Sequence, residues 1–278
     1  MPIRVNTNMT SLLIGNQAAR SKAQLDKTFA QLSSGLRINM AADDAAGMGI
    51  SESLRSEMRS LRQANRNTMD GISMVQTAES SLGEVGGRLS RMRELAVQSA
   101  NGTLNPADRN AIQAEFSALQ SEVERIANVT EFNGLSLSNG SAATPVDVQV
   151  GANNVAANDR VAVNLQDVRA TTLGVDPASI NVATQAGAQN AITAIDNAIS
   201  QVSAGRSAYG ATQNQLTSAM HNVQSYTENL VAAESRIRDV DFAAGVAEKT
   251  RSQILNQASI SLLAQSNVSS QTALGLLK

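Results

Sequence analysis

From Ile195 to Ile237 an apolar residue returns at every seventh position: Ile195, Val202, Tyr209, Leu216, Val223, Leu230 and Ile237. Seven residues make almost two turns of α-helix, so such a run lines one face of a single long helix. Three residues after each member stand Ala198, Gly205, Thr212, Ala219, Tyr226, Ala233 and Val240. Most of these are small, which lets a partner helix approach closely. A helix over 190–240 would span roughly 75 Å at about 1.5 Å per residue. A helix that long cannot cover its own seam and needs other long helices beside it. Full burial would contribute about 1.5–3 kcal/mol for each larger seam residue.

Those partners are legible elsewhere. Proline, which breaks helices, stands only at positions 2, 106, 145 and 177. In the first segment Leu25, Phe29, Leu32 and Leu36 step by four and three, a helical stripe. Residues 39–49 read as a bend followed by a helix start. A second helix follows the seam of Leu54, Met58, Leu61, Ile72, Val75, Leu82, Leu89 and Met92, with polar intrusions at Asn65, Thr68 and Glu79. Gly83, Gly86 and Gly87 within it permit a bend or close packing, and Asn101-Gly102 ends it. A third helix opens with Asn105 as cap, Pro106 in the first position and Asp108 in the first turn. Its stripe is Ile112, Phe116, Leu119, Val123 and Ile126.

Residues 131–185 change character. Val146, Val148 and Val150 alternate with polar residues, as do Val161, Val163 and Leu165 after a Gly- and Asn-containing link. Period two on both sides of such a link predicts a β-hairpin with a long loop. From 244 onward a helical stripe resumes through Val246, Ile254, Leu255, Ala258, Leu262 and Leu263, ending in Ala273-Leu-Gly-Leu-Leu-Lys278. Ile260 and Val268 add apolar bulk off that stripe. The stripes at the two ends match, so the ends are expected to pair and still leave apolar surface uncovered. The fold class is mainly α: a coiled-coil-like rod of long helices, a small β-hairpin region and paired terminal helices.

Composition closes off several chemistries. The apolar share is 42% but the aromatic share only 2%, so the apolar residues are of the size that suits close helix packing. Twenty-two basic residues balance 24 acidic ones, which gives no nucleic-acid surface. There is no cysteine, hence no disulfide and no thiolate chemistry. No apolar run is long enough for a membrane span, and the first residues lack the pattern of a cleaved signal. Composition alone points to the cytoplasm. Asp43-Asp44, and Asp239 with Asp241, read as helix-start and loop residues rather than metal or catalytic pairs. His221 is the only histidine and reads as a helix-surface residue. No phosphate-binding loop is present, and no catalytic, metal or cofactor site is expected.

Several strings, in order along the chain, resemble bacterial flagellins. They are Ile3-Arg-Val-Asn-Thr-Asn8, Gln31-Leu-Ser-Ser-Gly-Leu-Arg-Ile-Asn39 and Ala42-Asp-Asp-Ala-Ala-Gly-Met48 near the start. Met92-Arg-Glu-Leu-Ala-Val-Gln-Ser-Ala-Asn101 and Glu131-Phe-Asn-Gly134 follow. Ala233-Glu-Ser-Arg-Ile-Arg-Asp239, Gln253-Ile-Leu-Asn-Gln257 and Leu263-Ala-Gln-Ser-Asn267 complete the set. The resemblance implies a structural, non-enzymatic filament subunit. It places an inner domain at 1–42 and 240–278 and a helical rod at 43–239, without the outer domains that many flagellins insert. It overturns the cytoplasmic expectation in favour of export through the flagellum's own channel, with no cleaved signal, to an extracellular filament.

The resemblance also implies partners: other flagellin subunits, the flagellar cap and hook-junction proteins, and an export chaperone at the C-terminal segment. Leu25, Phe29, Leu32, Leu36, Ile254, Leu255, Leu262 and Leu263 are the expected assembly residues. The seam from Ile195 to Ile237 is expected to stiffen the rod. Arg91, Leu95 and Glu115 match positions through which many flagellins engage Toll-like receptor 5, although Ser90 stands where the family often has Gln. The alternatives are a flagellin-like hook–filament junction protein, a coiled-coil signalling module lacking a visible anchor or sensor, and, least favoured, an enzyme.

Overall fold

A computed structural model describes residues 8–142 and 145–275, with side chains described as far as residue 269. The strings Ile3 to Thr7 and Leu276 to Lys278 lie outside the described residues. In chain order the elements are α1 (Met9–Ser34), α2 (Ala45–Ser99), α3 (Pro106–Val129), β1 (Glu131–Phe132), β2 (Leu135–Ser136), β3 (Val146–Gln149), α4 (Ala156–Asp159), β4 (Arg160–Val163), α5 (Gln185–Arg238) and α6 (Phe242–Gly275). They form two compact units, Glu57–Glu228 and, from both ends of the chain, Met1–Ser56 with Asn229–Lys278.

The unit Glu57–Glu228 is built on one core shared by α2, α3 and α5. Leu82, Val85, Leu89 and Met92 of α2, Phe116 and Val123 of α3, and Ile195 and Leu216 of α5 are fully buried in it. The capping expected for α3 is present: the Asn105 side chain accepts from Asp108 N at 2.9 Å, and Pro106 opens the helix. Gln120 carries no seam signal yet is buried, and its amide donates to Val175 O at 2.8 Å. It thereby holds the connection that leads from β4 to α5.

The seam of α5 is buried through Ile195, Val202, Tyr209, Leu216 and Val223. Leu230 and Ile237 fall in the terminal unit, where Leu230 is buried and Ile237 half-buried. Close approach is real at Gly205, where a β-carbon would stand 3.0 Å from Leu82 Cδ2. Tyr226 departs from the inward pattern: it turns outward and donates its hydroxyl to Glu57 Oε1 at 2.9 Å. α2 stays helical through its glycine cluster. Only Gly86 has a neighbour, Val202 Cγ1, within van der Waals reach; Gly83 and Gly87 face open space.

The predicted hairpin is β3–β4, antiparallel, with Val146 opposite Val163 and Val148 opposite Val161. A second, shorter hairpin pairs β1 with β2. Asn133 and Gly134 take its turn with φ of 51° and 77°, the left-handed pair that a two-residue hairpin favours.

The division between the two compact units lies at 56/57 and 228/229. It falls inside α2 and α5, because residues at their outer ends are held by the terminal unit. Ile38 is buried there against Gly47, and Arg238 pairs with Glu52 at 3.1 Å. The α1–α2 loop also meets the α5–α6 junction. Gly35 O accepts from Val240 N, Arg37 N donates to Arg238 O at 2.6 Å, and the Arg37 guanidinium donates to Ile237 O at 2.7 Å.

Candidate assembly surface

In the terminal unit α1 and α6 pack along one another. What they bury is small and polar: Ser21 and Thr28 of α1, Ser252 and Ser259 of α6. Each pair is seven residues apart, so hydroxyl side chains line the contact as apolar ones line the α5 seam. Thr28 satisfies its hydroxyl on its own helix, donating to Gln24 O at 2.9 Å. Near the far end Asn8 caps α1, accepting from Ser11 N, and its amide donates to Ser266 of α6.

The large apolar side chains consequently face outward. Phe29 is 59% exposed, Ile254 60% and Leu262 57%, and Leu255 is exposed as well. Leu25, Leu32, Leu36 and Leu263 are half-buried. The two ends pair and leave apolar surface uncovered, as expected, but the most buried side chains of the contact are hydroxyl ones. Close helix contact takes the smallest side chains, and the stripes are displaced to the flanks and outer faces. Leu32 is one such flank, with Gly245 making room for its Cδ2. Lys249 Nζ stands 5.6 Å from the centre of the Phe29 ring, a cation–π contact that leaves the other face of the ring open. The hydroxyl seam has the seven-residue spacing of a helical contact, but its residues carry no apolar signal by which the sequence would reveal it. Leu12 and Leu13 of α1 and Ile260 of α6 extend the exposed apolar set.

The acidic pairs behave as helix-start residues. Asp44 accepts from Gly47 N at 2.8 Å at the start of α2, and Asp241 accepts from Ala243 N at 2.9 Å at the start of α6. Asp43 accepts from Asn39 N and Met40 N and pairs with Lys27 at 2.9 Å. The Lys27 ammonium, with those amides, holds its carboxyl below the ordinary range. Among the described residues no group of acidic or histidine side chains is placed to hold a metal ion. No helix among them is long and apolar enough to cross a membrane.

Comparison with known proteins decides the family. Residues 5–143 match the bacterial flagellin N-terminal helical region and residues 192–277 the bacterial flagellin C-terminal helical region. The chain belongs to the bacterial flagellin family. It is 45% identical over 274 residues to a flagellin of Halalkalibacterium halodurans, covering 99% of both chains. To a flagellin of Bacillus subtilis it is 41% identical, covering 99% of this chain and all of that one. To the flagellar filament 33 kDa core protein of Treponema phagedenis it is 39% identical, with 99% of each covered. Among solved structures, the crystal structure of Bacillus cereus flagellin matches with a TM-score of 0.51 and 32% identity, over 61% of this chain and 94% of that one. The near-complete coverage of full-length relatives agrees with the absence of inserted outer domains in this flagellin.

In the unit Glu57–Glu228, Arg91 donates to Glu115 Oε1 and to Glu94 Oε2, both at 2.8 Å. These bonds, Glu94 first, raise the guanidinium's already high pKa. Arg91 and Glu115 are exposed, but Leu95 is only 1% exposed. Leu95 belongs to the core of this unit.

Proposed function

We propose that this flagellin joins other copies of itself in the flagellar filament through the outward apolar faces of α1 and α6. The observation that carries this reading is the hydroxyl seam. A helix pair that buries Ser and Thr inside and leaves Phe29, Ile254 and Leu262 in water has its apolar partner elsewhere. At about 25 cal/mol per Å² of apolar surface removed from water, covering those faces drives association. Ordering the backbone costs about 1–2 kcal/mol per residue, and a pair with so small an interior offsets little of that alone. The ends are therefore largely disordered in the monomer and order on polymerisation.

Limited proteolysis tests the mechanism. Free monomer loses its first and last 40 or so residues before the centre is cut, and assembled filament protects them. Termini that resist cleavage in the monomer would overturn it. The same exposed faces support an export chaperone on the C-terminal segment, which keeps them covered until the subunit reaches the filament. Export without a cleaved signal to an extracellular flagellum, and contact with cap and hook-junction proteins at the filament ends, go with this role. The function is structural and uses no catalytic group or cofactor. The Arg91–Glu115 pair is proposed as the surface recognised by Toll-like receptor 5.

The junction-protein reading is not favoured. The chain's likeness to a putative flagellar hook-associated protein from Vibrio parahaemolyticus, at 18% identity and a TM-score of 0.59, concerns the fold alone. The relatives that match along its whole length are named as flagellins and filament core proteins.

A further inference from the structure

The chain contains three Asn-Gly dipeptides, at 101–102, 133–134 and 139–140. In such a pair the glycine backbone nitrogen can attack the asparagine side-chain carbonyl, since no side chain shields the nitrogen. The three stand in different settings. Asn133 sits in the β1–β2 turn with φ 51°, and its side chain makes no hydrogen bond within the described residues. Asn101 Oδ1 accepts one hydrogen bond, from Thr103 N at 3.2 Å. Asn139 Oδ1 accepts two, from Ser141 N at 3.0 Å and from Ser141 Oγ at 2.6 Å.

From this geometry we infer that Asn139 is a self-modification site, converting to aspartate and isoaspartate through a cyclic imide with Gly140. Donors aimed at an oxygen that gains negative charge lower the barrier to attack on its carbon. Ser141 supplies two such donors, and they hold the Asn139 side chain over residues 140 and 141 in one orientation. The Gly140 N–H makes no hydrogen bond within the described residues, so its proton is open to solvent base. The adjacent Asp167 carboxylate is neutralised by Arg169 at 2.7 Å, so it does not oppose the charge that develops. Only glycine fits position 140: its φ is 68°, and a β-carbon would stand 2.6 Å from Asp167 Oδ2.

The step balances without a cofactor. Gly140 N loses its proton to base and bonds to Asn139 Cγ. The Cγ–Nδ2 bond then breaks, and ammonia leaves with a proton from water. Water opens the ring at either carbonyl, giving aspartate or isoaspartate. Each event adds one negative charge, and the isoaspartate product inserts one more atom into the backbone. It does so directly after Ser138, which is held on both sides, by Ser81 Oγ at 2.8 Å and by Val168 N at 2.9 Å.

The experiment is a timed incubation of full-length protein at neutral pH, followed by peptide mapping with isoaspartate detection. Conversion at 139 is expected to lead conversion at 101 and 133. Ser141→Ala is expected to slow residue 139 by about tenfold, the effect of one hydrogen bond on the barrier, without changing the other two sites. Ser141→Thr, which keeps both donors, retains the rate. In denaturant the three rates converge. Equal rates in the folded protein, an unchanged rate in Ser141→Ala, or a lead at 139 that persists in denaturant would each overturn the assignment.

Discussion

Lys27 Nζ lies 2.9 Å from Asp43 Oδ1, so the last turns of α1 are tied to the loop that enters α2. The same carboxylate accepts from the backbone of Asn39 and Met40. Its folded-state pKa lies below the ordinary 3.8. A depressed carboxylate contributes stability that is present above the ordinary value and is lost as pH falls through the folded value. Acidification below about 3.8 therefore releases this loop, whereas the range from 5 to 8 leaves it intact. Amide chemical shifts of Asn39 and Met40 followed through an acid titration report it. In Asp43→Asn that transition is absent.

The outward face of α6 separates assembly from folding. Ile254→Asp together with Leu262→Asp removes apolar surface that the monomer already exposes. Seeded polymerisation is abolished, while thermal unfolding of the unit Glu57–Glu228 moves within about 0.5 kcal/mol. Sedimentation of polymer and calorimetry of monomer read the two effects separately.

Gly205 and Gly87 respond in opposite directions. Both lie in helix interiors, where glycine costs about 1 kcal/mol relative to alanine. Gly87→Ala meets nothing within 4 Å and stabilises by roughly that amount. Gly205→Val drives a side chain into Leu82 and Gln166 and destabilises by about 1–3 kcal/mol. Denaturation midpoints of the two variants test the contrast.

Leu95→Ala and Arg91→Ala differ in how they act. Truncating buried Leu95 costs about 2–5 kcal/mol of core packing. Arg91→Ala breaks an exposed ion pair worth about 0–1 kcal/mol. A receptor-reporter assay run beside thermal melts shows Arg91→Ala losing signal with its melting point kept. Leu95→Ala loses both.

The long helices were legible because a seven-residue apolar repeat has few other solutions, and Ile195 through Val223 are buried as that repeat requires. The β3–β4 pair was legible from valine alternation, and the start of α3 from Asn105, Pro106 and Asp108. The β1–β2 hairpin was overlooked although Asn133-Gly134 is a strong turn signal, because two-residue strands carry no periodicity. Leu95 stands outside the sequence-read seam of α2, yet it follows the buried Met92 by three residues and is buried with it. The residues proposed for assembly were legible as apolar stripes, but the way those stripes face was not. Ser21, Thr28, Ser252 and Ser259 decide which way Phe29 and Ile254 point, and serine at a seam position has no hydropathic signature.

That hydroxyl lining sets the kinetics of growth on the proposed assembly route. A pair of helices with little to gain from meeting each other seldom ripens in free solution, so two loose subunits rarely start a fibre. An existing end offers neighbours already in place, and there the gain arrives in a single event. Polymerisation should consequently show a long lag that a trace of sheared fibre removes, and a cell can hold the subunit at high concentration while elongating only at a tip of its choosing.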